Sequence, residues 1–510
     1  MEHLLYRLGE PLFGLDLDGR LALAVGGTAE FGRVDGGRPL VAYVPPLRPE
    51  SLGDRAFLDA HGLQFPYVAG AMANGIGSCE IVEAMGRAGM LGFFGAGGLA
   101  IDRVESAIDR LQSARHPWGM NLLHAPNDPA LETATVHLYL DRGVRLAEAA
   151  AYLDLTLPLV RYRTAGIHVG PDGRVVAPNR VIAKVSRVEV ATRFFSPPPE
   201  AMLRALVAEG HLTPQQAELA SRLPVAEDVT AEADSGGHTD NRPAIALLPT
   251  FIALGKRLTD AHRYERPLRV GAAGGIATPA GVAAAFAMGA SYVLTGSINQ
   301  ACREAGTSQA VRELLAAAQQ ADTAMAPAGD MFEMGVKVQV LKRGTMFAMR
   351  ASKLYEIYRS HDGLDALSRE TRQALERDVF RQDLESVWNE THAYFAARDP
   401  GQIERANRDP KHRMALVFRW YLGQSSRWAN TGVADRAMDY QIWCGPAMGA
   451  FNEWARGSAL ERDRGVVMVA RQLLAGACAV TRRNMLAMQG FTRLEAGAPL
   501  DPAALEAALG

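Results

Sequence analysis

The chain has 510 residues, 48% hydrophobic and 22% charged, enough apolar material for a large core and two or three structural units. A net charge of −2 argues against nucleic acid as a main partner, because phosphate binding leaves a basic excess. Four scattered cysteines (Cys79, Cys302, Cys444, Cys478) form no CxxC pair, which speaks against a disulfide framework or a zinc site. No window approaches a membrane span, and MEHLLYRLGEPLFGLD does not read as a signal peptide, so a cytoplasmic location is expected.

Residues 1–60 carry strand-like pieces at 20–25 and 40–44, broken by Gly and Pro, and read as a small β-rich extension. From Phe65 short apolar runs alternate with helical patterns. Eight strand candidates follow, at 65–72, 90–97, 118–123, 145–152, 180–186, 228–234, 267–275 and 290–297. Most are followed by an amphipathic stretch such as 79–88, 103–114 or 279–288. Eight such units predict an α/β fold, a closed (β/α)8 TIM barrel over 61–320. An open doubly wound sheet fits less well, since the first βα turn, AGAMANGIG, is not a GxGxxG fingerprint.

Two insertions interrupt the rhythm. Residues 167–179 read as a β-hairpin, and 196–227 as two short helices, with Thr213 an N-cap and Pro214 at the first helical position. Both flank strands five and six and are expected to shape a substrate entrance. Residues 321–510 read as a mainly helical C-terminal region.

In such a barrel chemistry sits where strands end. Strand seven ends in GAAGGI and strand eight in TGSINQ, and loops of this kind let backbone N–H groups approach an anion. Gly274, Gly275, Gly296 and Ser297 are the candidate phosphate grip; otherwise the glycines merely permit tight turns. Strand six ends in ADSGGHTDN, where the glycine pair leaves His238 at the rim to orient a carbonyl or pass a proton, unless it is structural. Ala71 and Met72 after strand one and Asn121 in strand three would face a planar ligand across the mouth, the Asn amide offering both donor and acceptor. Lys184 in VIAKVS must reach an anion or the rim; a salt bridge to Glu148 or Asp154 explains it equally well. Residues 397–430 hold a local basic excess, either a docking surface or a solvated face. Trp420, Trp428, Trp443 and Trp454 read as core packing, and Cys444 as structural.

The series AGAM (69–72), GMN (119–121), DSGGH (234–238), AAGGI (272–276) and TGS (295–297) resembles the superfamily of nitronate monooxygenases and FMN-dependent enoyl reductases. Three longer stretches, at 232–244, 330–347 and 439–454, are similar to the trans-acting enoyl reductases of polyketide and polyunsaturated fatty acid synthases, the PfaD type. The resemblance implies FMN at the rim, NADPH or NADH as hydride donor, and an enoyl thioester on an acyl carrier protein; a homo-oligomer is compatible with it. It implies cofactor contacts from Ala71, Met72, Asn121, Lys184, Ser235, Gly236, Gly237, Gly274, Gly275, Thr295, Gly296 and Ser297, and catalytic roles for His238 and Lys184. Asp234 departs from the Glu of many relatives, which leaves its role open. Two other functions compete: a nitronate monooxygenase-like flavin oxidase and a non-catalytic docking subunit of a synthase.

Overall fold

The computed structural model describes residues 1–32, 35–124, 126 and 128–510. Strands β1 (Leu12–Leu17), β2 (Arg20–Val25) and β3 (Leu40–Val44) form an antiparallel sheet in the order β2-β1-β3. The first of these is absent from the sequence reading, although its connection to β2 carries a known signal. Asp18 and Gly19 have φ of 53° and 84°, and a two-residue Asp-Gly link of this hand matches the twist of a hairpin.

The barrel strands follow as β4 (Tyr67–Ala69), β5 (Leu91–Phe94), β6 (Gly119–Leu123) and β7 (Leu146–Ala150). A short hairpin, β8 (His168–Val169) and β9 (Val175–Val176), then precedes β10 (Arg180–Val185) and β11 (Asp228–Glu232). After the two-residue strand β12 (Gly237–His238), β13 (Arg269–Ala273) and β14 (Val293–Thr295) complete the ring. Eight strands, one inside each predicted segment, close in the order β10-β11-β13-β14-β4-β5-β6-β7, every pairing parallel. Their residues are almost all buried, as expected when helices cover the outside of a parallel sheet and side chains fill its interior. The covering helices start where their sequences say they should. Ser78 caps Cys79–Arg87 by accepting the Ile81 N–H at 3.1 Å, and that helix turns Ile81, Val82 and Met85 inward.

The 196–227 insertion folds as two helices, Glu200–Ala208 and Pro214–Ala220, the second opened by a Thr213–Gln216 capping box. The expectation that this insertion and the 167–179 hairpin shape a substrate entrance is not met. Both lead into strands β10 and β11 and so sit at the N-terminal end of the barrel, opposite the rim where the strands end. There the buried Arg163 ties their flanks together, donating to the carbonyls of Pro224 (3.2 Å) and Asn179 (2.9 Å) and pairing with Glu227 at 3.0 Å.

Past the barrel the chain builds a second hydrophobic core from Ala326 to Leu422. Most of its members lie on helices, among them Phe347–Ser360, Leu384–Arg398, Pro400–Arg408 and Pro410–Thr431. The sequence reading of this region as helical lacks one element: a hairpin of β15 (Thr323–Pro327) and β16 (Lys337–Leu341). The helix Val466–Ala487 then returns to the barrel core and also packs beneath the N-terminal sheet. Its buried Arg482 donates to the carbonyls of Leu5, Arg7 and Glu10 at 2.6–3.0 Å, so the two ends of the chain are joined. Among the described residues no helix is long and apolar enough to cross a membrane.

Candidate active site

A cavity of about 1080 Å³ opens between the C-terminal rim of the barrel and the helical region above it. All thirteen residues picked from the sequence as site candidates line it. They come from strands one, three, five, six, seven and eight, and only the ring closure brings them together.

The glycines at the ends of β13 and β14 differ in what they do. At Gly274 (φ 80°) a Cβ would stand 2.6 Å from the Ala233 carbonyl carbon, so this residue lets two loops touch. At Gly275 and Gly296 a Cβ would meet nothing within 4 Å. These two form an open backbone cradle facing the cavity, which side chains would fill. Ser297 beside them accepts the Gly445 N–H at 3.1 Å and keeps its own hydroxyl proton for a ligand. Thr295 is buried, with its hydroxyl held between Tyr67 (2.8 Å) and the Asn299 amide (2.9 Å), so it supports the loop.

The His238 loop is built by parts of the chain remote in sequence. β12 pairs antiparallel with β16, Gly237 opposite Gln339 and His238 opposite Val338. Gln339 also donates to the Ser235 carbonyl (2.7 Å) and to Asp234 (2.8 Å), and Asp234 accepts the Asn241 amide at 2.8 Å. The carboxylate at 234 therefore braces the loop, a task its shorter side chain performs at this range. On the other side Gly236 lies against Cys444: a Cβ on Gly236 would be 2.9 Å from the Cys444 nitrogen, and one on Gly445 would be 2.8 Å from the Gly236 nitrogen. Only glycine fits at either position. Cys444 itself is buried, its thiol pushed up to about 12, in keeping with a structural role.

His238 is half-buried rather than freely exposed, and its Nε2 lies 3.2 Å from Asp330 Oδ1, in the loop between β15 and β16. Burial works against the charged ring, but the Asp330 carboxylate outweighs it and holds the imidazole above its ordinary value. Lys184 pairs with Glu232 on the neighbouring strand at 3.3 Å. Of the two partners expected for it, Glu148 contributes attraction from within the barrel, whereas Asp154 is engaged by Arg193 at 2.6 Å. Burial opposes the ammonium, yet the two carboxylates keep its pKa raised, so it stays charged. Glu148 is fully buried, accepts the Ala71 N–H at 3.0 Å, and is pushed up to about 7 by that burial. Asn121 donates to the Glu148 carbonyl at 3.2 Å, which orients its amide at the cavity wall.

Several residues here escape the sequence reading. Trp420 and Trp443, expected in the core, line the cavity, as do Arg398, Arg419 and Arg427 from the basic stretch. Asp330 is the largest omission. A signal for it existed in the alternation of VKVQVL at 336–341, a strand pattern inside a region otherwise helical.

The family model for nitronate monooxygenase matches residues 55–358, and that for the inserted helical domain of [acyl-carrier-protein] S-malonyltransferase matches 361–440. The chain is 48% identical over 454 residues to one subunit of the polyunsaturated fatty acid synthase of Thraustochytrium sp., aligning 87% of itself with 30% of that protein. It is 44% identical over 447 residues to polyketide biosynthesis protein PksE of Bacillus subtilis, 87% of this chain against 58% of PksE. The chain thus spans 30% of the first of these curated relatives and 58% of the second. Among solved structures, the enoyl reductase domain of MlnA from the macrolactin biosynthesis cluster of Bacillus amyloliquefaciens superposes with a TM-score of 0.81 at 39% identity, covering 86% of this chain and 99% of that domain. By the match over more than half its length, this chain belongs to the nitronate monooxygenase family.

Proposed function

We propose that this protein is a trans-acting, FMN- and NADPH-dependent reductase of α,β-unsaturated thioesters carried on acyl carrier protein. The observation that carries the reading is a single cavity holding both an open glycine cradle, Gly275 and Gly296, and a His238–Asp330 pair. The cradle suits one terminal phosphate, which favours FMN over FAD. Ala71, Met72 and Asn121 would hold the flavin ring across the mouth, and Lys184, Ser235, Gly236 and Gly237 would border it. Held there, FMN would supply hydride chemistry between the nicotinamide and the β-carbon of the enoyl group.

The chain's own groups account for the rest. Reduction at the β-carbon places negative charge on the thioester oxygen, and donors already aimed at it are the largest single source of rate. With Nε2–H engaged by Asp330, a protonated His238 has one further N–H, at Nδ1, which would hydrogen-bond that oxygen and then be the proton passed to the α-carbon, leaving the ring neutral. The Lys184 ammonium adds positive potential from below. Trp420 and Trp443 also line the cavity and would limit water there. The likeness to the enoyl reductase domain of MlnA and to synthase subunits supports a carrier-bound substrate.

The family match itself favours a second reading, a flavin oxidase acting on a nitronate. Anaerobic mixing separates the two. A reductase bleaches its flavin absorbance with NADPH and regains it on adding a crotonyl thioester supplied on a separate carrier protein. Flavin that resists NADPH yet consumes oxygen with a nitroalkane sinks the proposal. A colourless protein that stays colourless with added FMN leaves only the docking-subunit reading.

A further inference from the structure

The cavity is electrically balanced at the end where His238 sits. Lys184 meets Glu232, His238 meets Asp330, and Arg419 lies 3.6 Å from Glu333 while donating to the Gly329 carbonyl. Toward its other end, which opens to solvent, the described residues of the lining carry one carboxylate, Glu390, already accepting from Trp420 Nε1 at 3.0 Å, and three exposed arginines. The helices Leu384–Arg398 and Pro410–Thr431 run side by side in the same sense, since Glu385 approaches Arg413, 28 residues on, and Glu390 accepts from Trp420, 30 residues on. Arg398 and Arg427, 29 apart in sequence, therefore stand level, and both line the cavity. Arg103 lines it from the barrel side, just past the loop whose Gly97 carbonyl binds Asn74, and Asn74 in turn donates to Ser426 at 2.9 Å.

Among the described residues Arg103 and Arg427 enter no ion pair within 4.0 Å, and exposed Arg398 meets the ring and hydroxyl of Tyr394. We infer that this end of the cavity, built by Arg398 and Arg427 with Arg103, is a phosphate site for the far end of an extended ligand whose reacting end lies at His238. Eight residues of helix separate Arg419 from Arg427, about 12 Å at 1.5 Å per residue, and both face the same cavity. Gly423 lies between them, where a Cβ would meet nothing within 4 Å, so the wall is open midway. A glycine inside a helix costs stability, and here it keeps a passage between the two ends. Arginine suits the task because its planar fork grips phosphate oxygens in pairs and stays charged at all working pH.

The inference rests on the reading of the site as an enoyl-thioester reductase, and two phosphates of that reaction qualify. One is the phosphodiester of a carrier's pantetheine arm, the other the ribose phosphate of the nicotinamide nucleotide. Calorimetry on the protein as purified separates them without turnover, so loss of enoyl reduction would not obscure the result. The paired probes are 4′-phosphopantetheine against pantetheine, and 2′,5′-ADP against 5′-AMP. The phosphorylated member of one pair should bind about tenfold tighter or more, and that ratio should collapse toward one in Arg398→Gln/Arg427→Gln. Preference in the pantetheine pair assigns the site to the carrier arm, and in the nucleotide pair to the hydride donor. No preference in either pair, or a preference that survives the double substitution, overturns the phosphate site. Retained flavin absorbance and an unchanged circular dichroism spectrum check that the variant is folded.

Discussion

The barrel rim and the helical region above it make one cavity by two different routes. On the rim each residue is where it is because of its ordinal strand: ring closure carries Ala71, Asn121, Lys184, His238 and Gly296 to one mouth whatever lies between them. The helical region contributes through pairings specific to this chain, β12 with β16, Gly236 with Gly445, His238 with Asp330. On the proposed function the rim would supply the cradle for a cofactor, and the region above polarity and closure. On that division, damage to the rim should abolish cofactor binding, while damage above it should spare the cofactor and alter the chemistry.

The largest effect is expected at the cradle. Gly296 has a negative φ of −131°, so replacing it brings no left-handed strain, and its Cβ direction is open. Gly296→Asp should place a carboxylate where a phosphate would bind and yield protein without flavin, whereas Gly296→Ala should keep a substantial share. The absorbance of purified protein near the flavin maximum reads both. Full occupancy in the Asp variant would strip the cradle of its role. Gly275→Asp should behave alike, but its φ of 75° adds backbone strain and makes it the less direct test.

His238→Ala should keep flavin and its reduction by NADPH yet lose about two orders of magnitude in enoyl reduction. Asp330→Asn tests the helical side of the same pair. The carboxylate holds the His238 pKa above its ordinary 6.5, so the pair's stabilisation is complete below that value and is lost as pH rises through the folded one. If the imidazolium is the working form, the rate falls over that same rise. Removing Asp330 should move the fall to lower pH, which a kcat profile at saturating substrates would reveal. An unmoved profile breaks the link between the two regions.

A smaller effect is expected inside the barrel. Burial pushes the Glu148 carboxyl from its ordinary 4.5 up to about 7, against the attraction of Lys184 and the Ala71 N–H. Between those values the folded protein binds a proton that the unfolded chain releases, so stability should decline as pH rises from about 4.5 to 7. Glu148→Gln keeps an acceptor for Ala71 and removes the titration. Its melting temperature should lose that decline, a difference of about 2–4 °C across the window. Parallel melting curves for both proteins would show that Glu148 titrates normally.

The same contrast explains what the sequence made legible. Strand positions, the hairpin at 168–176 and the Thr213 cap follow from local patterns, namely apolar runs, turn residues and capping chemistry. The side of the barrel on which the insertions lie does not, because nearness to strands five and six leaves open which end of a strand an insertion joins. Asp330 stays hidden because its meaning depends on His238, 92 residues earlier. Trp420 and Trp443 are indistinguishable from core tryptophans until the helices are packed. Cradles built from backbone are legible in glycine spacing; polar pairs between remote segments are not.

The faintest effect, and the one that bears on the outer surface of the helical region, concerns docking of a carrier protein. Its inner face lines the cavity, but Arg405 and Arg408 lie in the last turn of the helix Pro400–Arg408 and are exposed. Among the described residues Arg405 pairs with one carboxylate, Asp409 at 4.0 Å, and an exposed pair of that length contributes little to stability. Lys411, by contrast, sits 5.1 Å above the Tyr358 ring, so changing it risks local packing. The sharper variant is therefore Arg405→Glu/Arg408→Glu, with Lys411 left in place. Reversing two charges near a helix C-terminus costs roughly 0.3–1 kcal/mol each, too little to unfold a chain with a core of this size. Carrier proteins are typically acidic, and attraction over such distances is screened beyond about 10 Å at 0.1 M salt. The variant should thus lose severalfold in kcat/KM on a carrier-bound enoyl group at low salt, and the deficit should shrink as salt is raised. On an N-acetylcysteamine ester, which has no carrier, it should match the parent. Equal losses on both substrates would mark the stretch as a folding element, and no loss on either would make it a solvated helix face.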